Sequence, residues 1–119
     1  KDILWIQLGT TGDLILNNVS NYVGKTSLRE LAFIIKNADF IVADEGMLNH
    51  MASAVKTKSF VLQSGFSNSD ISKYTDTIHI VNSPQVSCAP CWITSNCPKK
   101  IKYCTEQILV NEVINELTQ

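Results

Sequence analysis

Asp39-Phe40-Ile41-Val42-Ala43-Asp44-Glu45-Gly46-Met47-Leu48-Asn49-His50-Met51-Ala52-Ser53-Ala54-Val55 decides how this chain is read. Phe40–Ala43 is a short apolar run of strand length, bounded by acids. Asp44-Glu45-Gly46 is a polar turn. From about Met47 to Val55 small and apolar residues recur at helical spacing, with a histidine in the first turn. A strand, a tight turn and a helix in this order place backbone N–H groups at the carboxyl end of a strand. In parallel α/β sheets that is where anions and ligands bind.

The flanking sequence repeats the alternation. Upstream, Ser27 (or Thr26) is a helix N-cap and Glu30, three residues on from Ser27, completes a capping box. Leu28, Leu31, Ala32, Ile34 and Ile35 form the expected buried stripe of that helix, which runs to Lys36. Before it, Ile3–Leu8 reads as a strand, and Leu14–Val19 as a second short strand or a single turn. Downstream, Ser59–Leu62 and Ile78–Val81 read as strands. Ser67-Asn68-Ser69-Asp70 caps a short helix through Tyr74, and a last helix covers about 110–118, with Val110, Val113, Ile114 and Leu117 on one face. Strands alternating with helices over short connections predict an α/β fold, a Rossmann-like parallel sheet flanked by helices.

Composition narrows the class. The 119 residues suit one domain, 1–119, with 45% hydrophobic and 18% charged residues. The net charge of −1 gives no electrostatic case for nucleic acid or anionic membranes. No apolar run approaches the roughly 20 residues of a membrane span. The chain opens straight into a strand pattern, with no Met and no signal-peptide pattern, which leads us to expect a piece of a longer protein.

Three sets of residues are candidates for chemistry. Gly9-Thr10-Thr11-Gly12-Asp13 follows a strand and has the makings of a ligand loop, though Gly-x-x-Gly is equally the sequence of a plain turn. Gly24-Lys25-Thr26-Ser27 ends like a Walker A loop, but that loop needs a glycine where Val19 stands, so the reading is rejected. Lys25 and Thr26 nonetheless lie at a helix N-terminus, where anions are favoured. The third set is Cys88, Cys91, Cys97 and Cys104, all four cysteines of the chain, spaced C-x2-C-x5-C-x6-C in a lobe at 84–104. A disulfide-stapled secreted domain would spread its cysteines, and zinc ribbons separate their ligand pairs by a dozen or more residues. A structural zinc or iron site, disulfide or mixed pairing, and reduced thiols all remain open for this cluster.

The order of elements and three separated motifs resemble the carboxyl-terminal half of glycosyltransferase family 9, the ADP-heptose:lipopolysaccharide heptosyltransferases. The motifs are Gly24-Lys25-Thr26-Ser27-Leu28-Arg29-Glu30-Leu31 with Ala38-Asp39, then Glu45-Gly46-Met47-Leu48-Asn49-His50-Met51-Ala52-Ser53-Ala54, then Cys88-Ala89-Pro90-Cys91 with Cys97 and Cys104. The commoner turn of that family is Asp-Thr-Gly-x-x-His. Aligned on His50, this chain has Glu45 at the acid, Gly46 at the threonine and Met47 at the glycine.

The resemblance implies the second, donor-binding domain of a glycosyltransferase B architecture. It implies an inverting enzyme of lipopolysaccharide or cell-surface glycan synthesis, bacterial and cytoplasmic, at the inner face of the membrane. Transfer would require no cofactor. Gly46, Met47 and Leu48 would offer N–H groups to the donor pyrophosphate, Glu45 would accept from sugar or ribose hydroxyls, and His50 would support the turn or donate to phosphate. Lys25 and Thr26 would border the base or phosphate, and the strand-end loop makes Gly9, Thr10 and Thr11 further donor-binding candidates. Asp44 is expected to be structural or solvated.

The catalytic residue is expected in an amino-terminal domain that meets a glycan or lipid-linked acceptor, so the fragment alone would be inactive. Membrane association is expected only through the full-length protein. The competing readings are a non-catalytic nucleotide-binding module and a metal-knuckle interaction domain built on Cys88–Cys104.

Overall fold

Strands rich in Phe, Val and Ile, joined through helices, form a parallel sheet because a crossover returns each strand to the same direction. In the computed structural model, which describes residues 2–81 and 86–119, the strands pair in parallel in both parts of the chain, although in the first part a loop rather than a helix makes the crossover. The chain divides into two compact units, Lys1–Ile34 and Ile35–Gln119. The architecture is α/β, parallel strands flanked by helices, consistent with a Rossmann-like domain.

In the first unit, β1 (Ile6–Gln7) pairs in parallel with β2 (Ser20–Asn21), Ile6 opposite Ser20 and Gln7 opposite Asn21. The strand expected over Ile3–Leu8 is therefore only two residues long, and Leu14–Val19 forms neither strand nor helix. Gln7 supplies the reason. Its carboxamide donates to the Leu14 carbonyl at 2.6 Å and accepts from the Leu16 N–H at 2.8 Å, so a side chain takes the backbone groups that a ladder would use.

Helix α1 (Leu28–Lys36) begins with the expected capping box. Ser27 N–H donates to Glu30 Oε2 at 2.7 Å, and Glu30 N–H donates to Ser27 Oγ at 3.2 Å. The buried stripe is narrower than the periodicity predicts. Leu31 and Ile35 are buried, while Leu28, in the first turn, is 64% exposed.

The second unit is built on a three-stranded sheet of order β3-β4-β5, all parallel: β3 (Ile41–Asp44), β4 (Ser59–Gln63) and β5 (Thr77–Val81). Ile41 stands opposite Ser59 and Ser59 opposite Thr77, so the carboxyl ends of the strands are nearly level. The central strand β4 is buried along most of its length, as a parallel strand covered on both faces must be. Phe60 and Val61 anchor the core with Ala43, Ile80, Ala52 and Ile35. Burial of side chains the size of Phe60 and Val61 contributes about 1.5–3 kcal/mol each. Phe40 meets Phe60 edge to face at 5.7 Å.

Helix α2 (Met47–Ala54) packs on β3 and β4. It ends in a Schellman motif, with Thr57 N–H bonded to the Ala52 carbonyl and Lys56 N–H to the Ser53 carbonyl. Lys56 takes the left-handed position of that motif, at φ 62°. A 3-10 turn, Ser69–Ser72, is capped by the Asn68 side chain, where a short helix through Tyr74 is predicted.

Beyond β5 lie α3 (Tyr103–Glu106) and α4 (Val110–Thr118). On α4, Val110 and Ile114 are exposed, so the face expected to be buried is only partly covered. Pro84 and Gln85, which open the expected cysteine lobe, lie outside the described residues. Among the described residues no helix is long and apolar enough to cross a membrane.

Candidate functional site

The turn between β3 and α2 stands at the carboxyl edge of the sheet, and its acid is Glu45. Asp44, the last residue of β3, is exposed. Glu45 turns toward the loop after β4 and accepts hydrogen bonds from three side chains. Gln63 Nε2 and Ser67 Oγ donate to Oε2, the latter at 2.7 Å, and Ser64 Oγ donates to Oε1. Gln63 and Ser67 are buried. A carboxylate offers about four acceptor sites, so this cradle fixes Glu45 and leaves roughly one for another donor.

Gln63 reaches both ways. Its Oε1 lies 2.9 Å from His79 Nδ1. An amide oxygen only accepts, so Nδ1 carries the proton, and the buried Nε2 on the far side of the ring has no hydrogen-bond partner. The amide cannot flip without turning its oxygen onto the Glu45 carboxylate.

Gly46 makes the turn possible. Its φ of +151° and ψ of −151° lie in a region essentially confined to glycine, and no atom lies within 4 Å of where a Cβ would stand. Conformation, rather than space, demands glycine here. No side chain caps the start of α2. Met47 is exposed and Leu48 half-buried. His50 Nδ1 bonds to Tyr74 Oη at 2.6 Å, and the two rings meet edge to face at 5.7 Å.

Asn49, between Leu48 and His50, is fully buried at 0% exposure. It donates to the Ser72 carbonyl at 3.1 Å and accepts from Ser59 Oγ at 2.8 Å and Thr77 Oγ1 at 3.1 Å. One carboxamide thereby ties the first turn of α2 to β4, β5 and the 3-10 turn.

The other sequence-derived candidates lie in the first unit. Thr10 N–H donates to Asp13 Oδ2 at 2.7 Å and Asp13 N–H returns to the Thr10 carbonyl at 3.0 Å, which closes the Gly9–Asp13 loop as a tight turn. The loop is laced to the residues before α1, since Gly24 N–H donates to the Gly9 carbonyl at 2.9 Å. A Cβ on Gly24, which has φ +67°, would lie 2.6 Å from Thr11 Oγ1. Gly9, Thr10 and Thr11 are thus brought beside Lys25 and Thr26.

Lys25 Nζ donates to the Asn21 carbonyl at 3.0 Å. An open groove of about 380 Å³ is lined by Tyr22, Lys25, Thr26, Arg29, Glu30, Phe33 and Ile34. Two rings and two cations suit a flat heterocycle and a phosphate. Glu30 is committed to the helix cap. The Ser27 N–H first, and its hydroxyl second, hold the Glu30 carboxyl below its usual range.

The four cysteines are free thiols, Cys88 and Cys97 exposed, Cys91 and Cys104 half-buried. Among the described residues no group of three or more His, Cys, Asp or Glu side chains is placed to hold a metal ion. The lobe docks on the loop after β4. Cys91 N–H donates to the Gly65 carbonyl and Trp92 N–H to the Phe66 carbonyl, both at 2.9 Å. A Cβ on Gly65 would lie 2.9 Å from Cys104 Cβ and 3.2 Å from Ala89 Cβ.

Sequence reasoning placed Glu45 at the turn but missed its partners Gln63, Ser64 and Ser67, and it missed Asn49. A signal for the first three exists: polar residues close an otherwise apolar strand that neighbours the acid-bearing one in a parallel sheet. Asn49 offers only an amide in the first turn of a helix of small and apolar residues.

A parallel sheet with a strand-turn-helix junction and a tethered acid at its carboxyl edge defines an α/β domain of the kind that binds ligands at that edge. A family model, glycosyltransferase family 9 (heptosyltransferase), matches residues 13–102, and the chain belongs to this family. The match includes Lys25, Thr26, the Glu45–His50 turn and three of the cysteines; it leaves out Gly9, Thr10, Thr11 and Cys104. No curated protein and no solved structure matches the chain. Membership carries glycosyltransferase activity in general terms, with a nucleotide-sugar donor and a glycan acceptor.

Proposed function

We propose that the chain, 1–119, is the donor-binding domain of an inverting glycosyltransferase that takes an ADP-heptose-like nucleotide sugar and acts in lipopolysaccharide or cell-surface glycan synthesis, at the cytoplasmic face of a bacterial membrane. The cradled carboxylate of Glu45 is the observation that carries this reading. An acid held by three donors beside an uncapped helix start has little freedom left, and its residual acceptor site suits a sugar or ribose hydroxyl. A carboxylate repels pyrophosphate, so the phosphates fall to the N–H groups of Gly46, Met47 and Leu48.

With Nδ1 of His50 engaged by Tyr74, Nε2 is the nitrogen that would face a phosphate oxygen. In the first unit, taken by itself, the groove with Lys25 and Thr26 has the rings and cations for a base or a phosphate. Inversion needs a base that deprotonates the acceptor hydroxyl. We assign that base to residues outside this chain, and we assign no cofactor to the transfer step.

Thermal-shift and calorimetric titration with ADP-, UDP-, GDP- and CDP-sugars tests the reading. An ADP-sugar is expected to stabilise the chain most, and to stabilise Glu45→Gln measurably less. Equal response to all four, or an unchanged response in the variant, would overturn it.

A further inference from the structure

The net charge of −1 conceals an uneven distribution. No acid occurs between Asp76 and Glu106, while Lys99, Lys100 and Lys102 stand within four residues of one another. All three lysines are exposed. The same lobe exposes large apolar side chains: Trp92 is 52% exposed, and Ile93, Ile101 and Tyr103 about two-fifths.

The structure holds this surface outward. Trp92 has φ +54°, a left-handed conformation that bulky side chains avoid. It is kept there by its N–H bond to Phe66 and by an edge-on contact with the Phe66 ring at 5.8 Å. Cys91 and Cys104, on either side of the lobe, both abut Gly65. The Trp92–Ile93 and Lys99–Tyr103 segments are therefore fastened to one loop.

Indole and phenol rings settle at the headgroup level of a bilayer, aliphatic side chains at its acyl boundary, and lysines against lipid phosphates. We propose that this lobe is a docking surface for anionic phospholipid membranes. Trp92 and Ile93 enter the interface, and Lys99, Lys100 and Lys102 face the headgroup phosphates. Charge complementarity selects the occupant: three cations fit an anionic surface, and the one acid placed against them, Glu106, accepts from the Lys102 N–H at 3.4 Å. Ile93 and Ile101 have no counterpart on a nucleic-acid backbone.

Gly65 and Phe66 lie between Ser64 and Ser67, two of the three donors to Glu45, so the loop to which the docking lobe is fastened is the loop that cradles the acid. The inference stands apart from the donor assignment and survives its failure.

The test uses the chain with Trp5→Phe, which leaves Trp92 as its one indole, mixed with vesicles of phosphatidylcholine alone or with phosphatidylglycerol. The expected result is co-sedimentation and a blue shift of Trp92 emission on the phosphatidylglycerol vesicles, both weakened by salt. The combined change Lys99→Gln, Lys100→Gln and Lys102→Gln should lower partitioning about a hundredfold. Trp92→Gly suits the left-handed backbone and should lower it about tenfold with an unchanged circular dichroism spectrum. The proposal is overturned by an unshifted emission on anionic vesicles, by lysine variants that partition like the parent, or by retention on an acidic peptide or nucleic-acid matrix without retention on vesicles.

Discussion

Ser67 donates to Glu45 at 2.7 Å across 22 residues of chain, from the loop after β4 to the turn after β3. Two parallel neighbours are thereby joined at their carboxyl ends by side chains as well as by the ladder. The acid is fixed by the sheet, and its environment can be altered without unfolding it.

Glu45→Gln keeps the shape and removes the charge. The amide oxygen can still accept from Gln63, and the Ser64 hydroxyl can turn to accept from the new amide. The fold should survive, and affinity for an ADP-sugar should fall about tenfold, the value of one lost charge-assisted hydrogen bond. Ser67→Ala should weaken both stability and binding, stability by about 1–2 kcal/mol. Urea unfolding and calorimetric titration separate the two effects.

Asn49 is the strongest candidate for a purely structural amide. Asn49→Ala opens a cavity and strips the Ser72 carbonyl, Ser59 and Thr77 of a partner. It should cost about 2–4 kcal/mol in urea unfolding. A loss below about 0.5 kcal/mol would contradict the burial described for this residue.

Lys56 occupies a left-handed position where glycine is favoured. Lys56→Gly should therefore stabilise the chain by about 1 kcal/mol, against the usual direction for a glycine substitution. A raised urea midpoint with unchanged slope is the expected result.

Acid unfolding should report on the α1 cap. Glu30 is held below its usual 4.5, chiefly by the Ser27 N–H. Because the native value is the lower one, its contribution is complete above the unfolded carboxylate range and disappears as pH falls through the native value. The stability difference between parent and Glu30→Gln should thus be constant at neutral pH and vanish in acid. Ser27→Ala should cost about 1 kcal/mol at neutral pH.

The isolated 119 residues should bind nucleotide weakly and transfer no sugar. A robust transfer rate, followed by release of nucleoside diphosphate, would place the base within this chain and refute the assignment made above.

Local chemistry wrote much of this structure plainly into the sequence. The capping box of Ser27 and Glu30 needs only a spacing of three, and the β3–turn–α2 junction is a contiguous run, so both were legible. β2 was not, because Ser20-Asn21 is polar and only two residues long, with no alternation to detect. Leu28 fits the stripe by periodicity yet is exposed, since the pattern gives a face and not what covers that face. Gln63, Ser64 and Ser67 reach Glu45 over 18 to 22 residues, and contacts between parallel strands have no period. The uneven charge was present in the sequence, but a whole-chain sum erased it.

The conformation of Gly46 bears on how this turn relates to the commoner Asp-Thr-Gly-x-x-His form that the family resemblance brings. Threonine does not adopt φ +151°, so placing one at position 46 would force the backbone to a different path before the histidine is reached. The commoner turn, with its glycine one position later, must then reach its histidine by a different backbone path. A lineage passing from one to the other would have to relocate that glycine as well as introduce the hydroxyl, and an intermediate carrying only the threonine would be expected to lose donor affinity before it gained any.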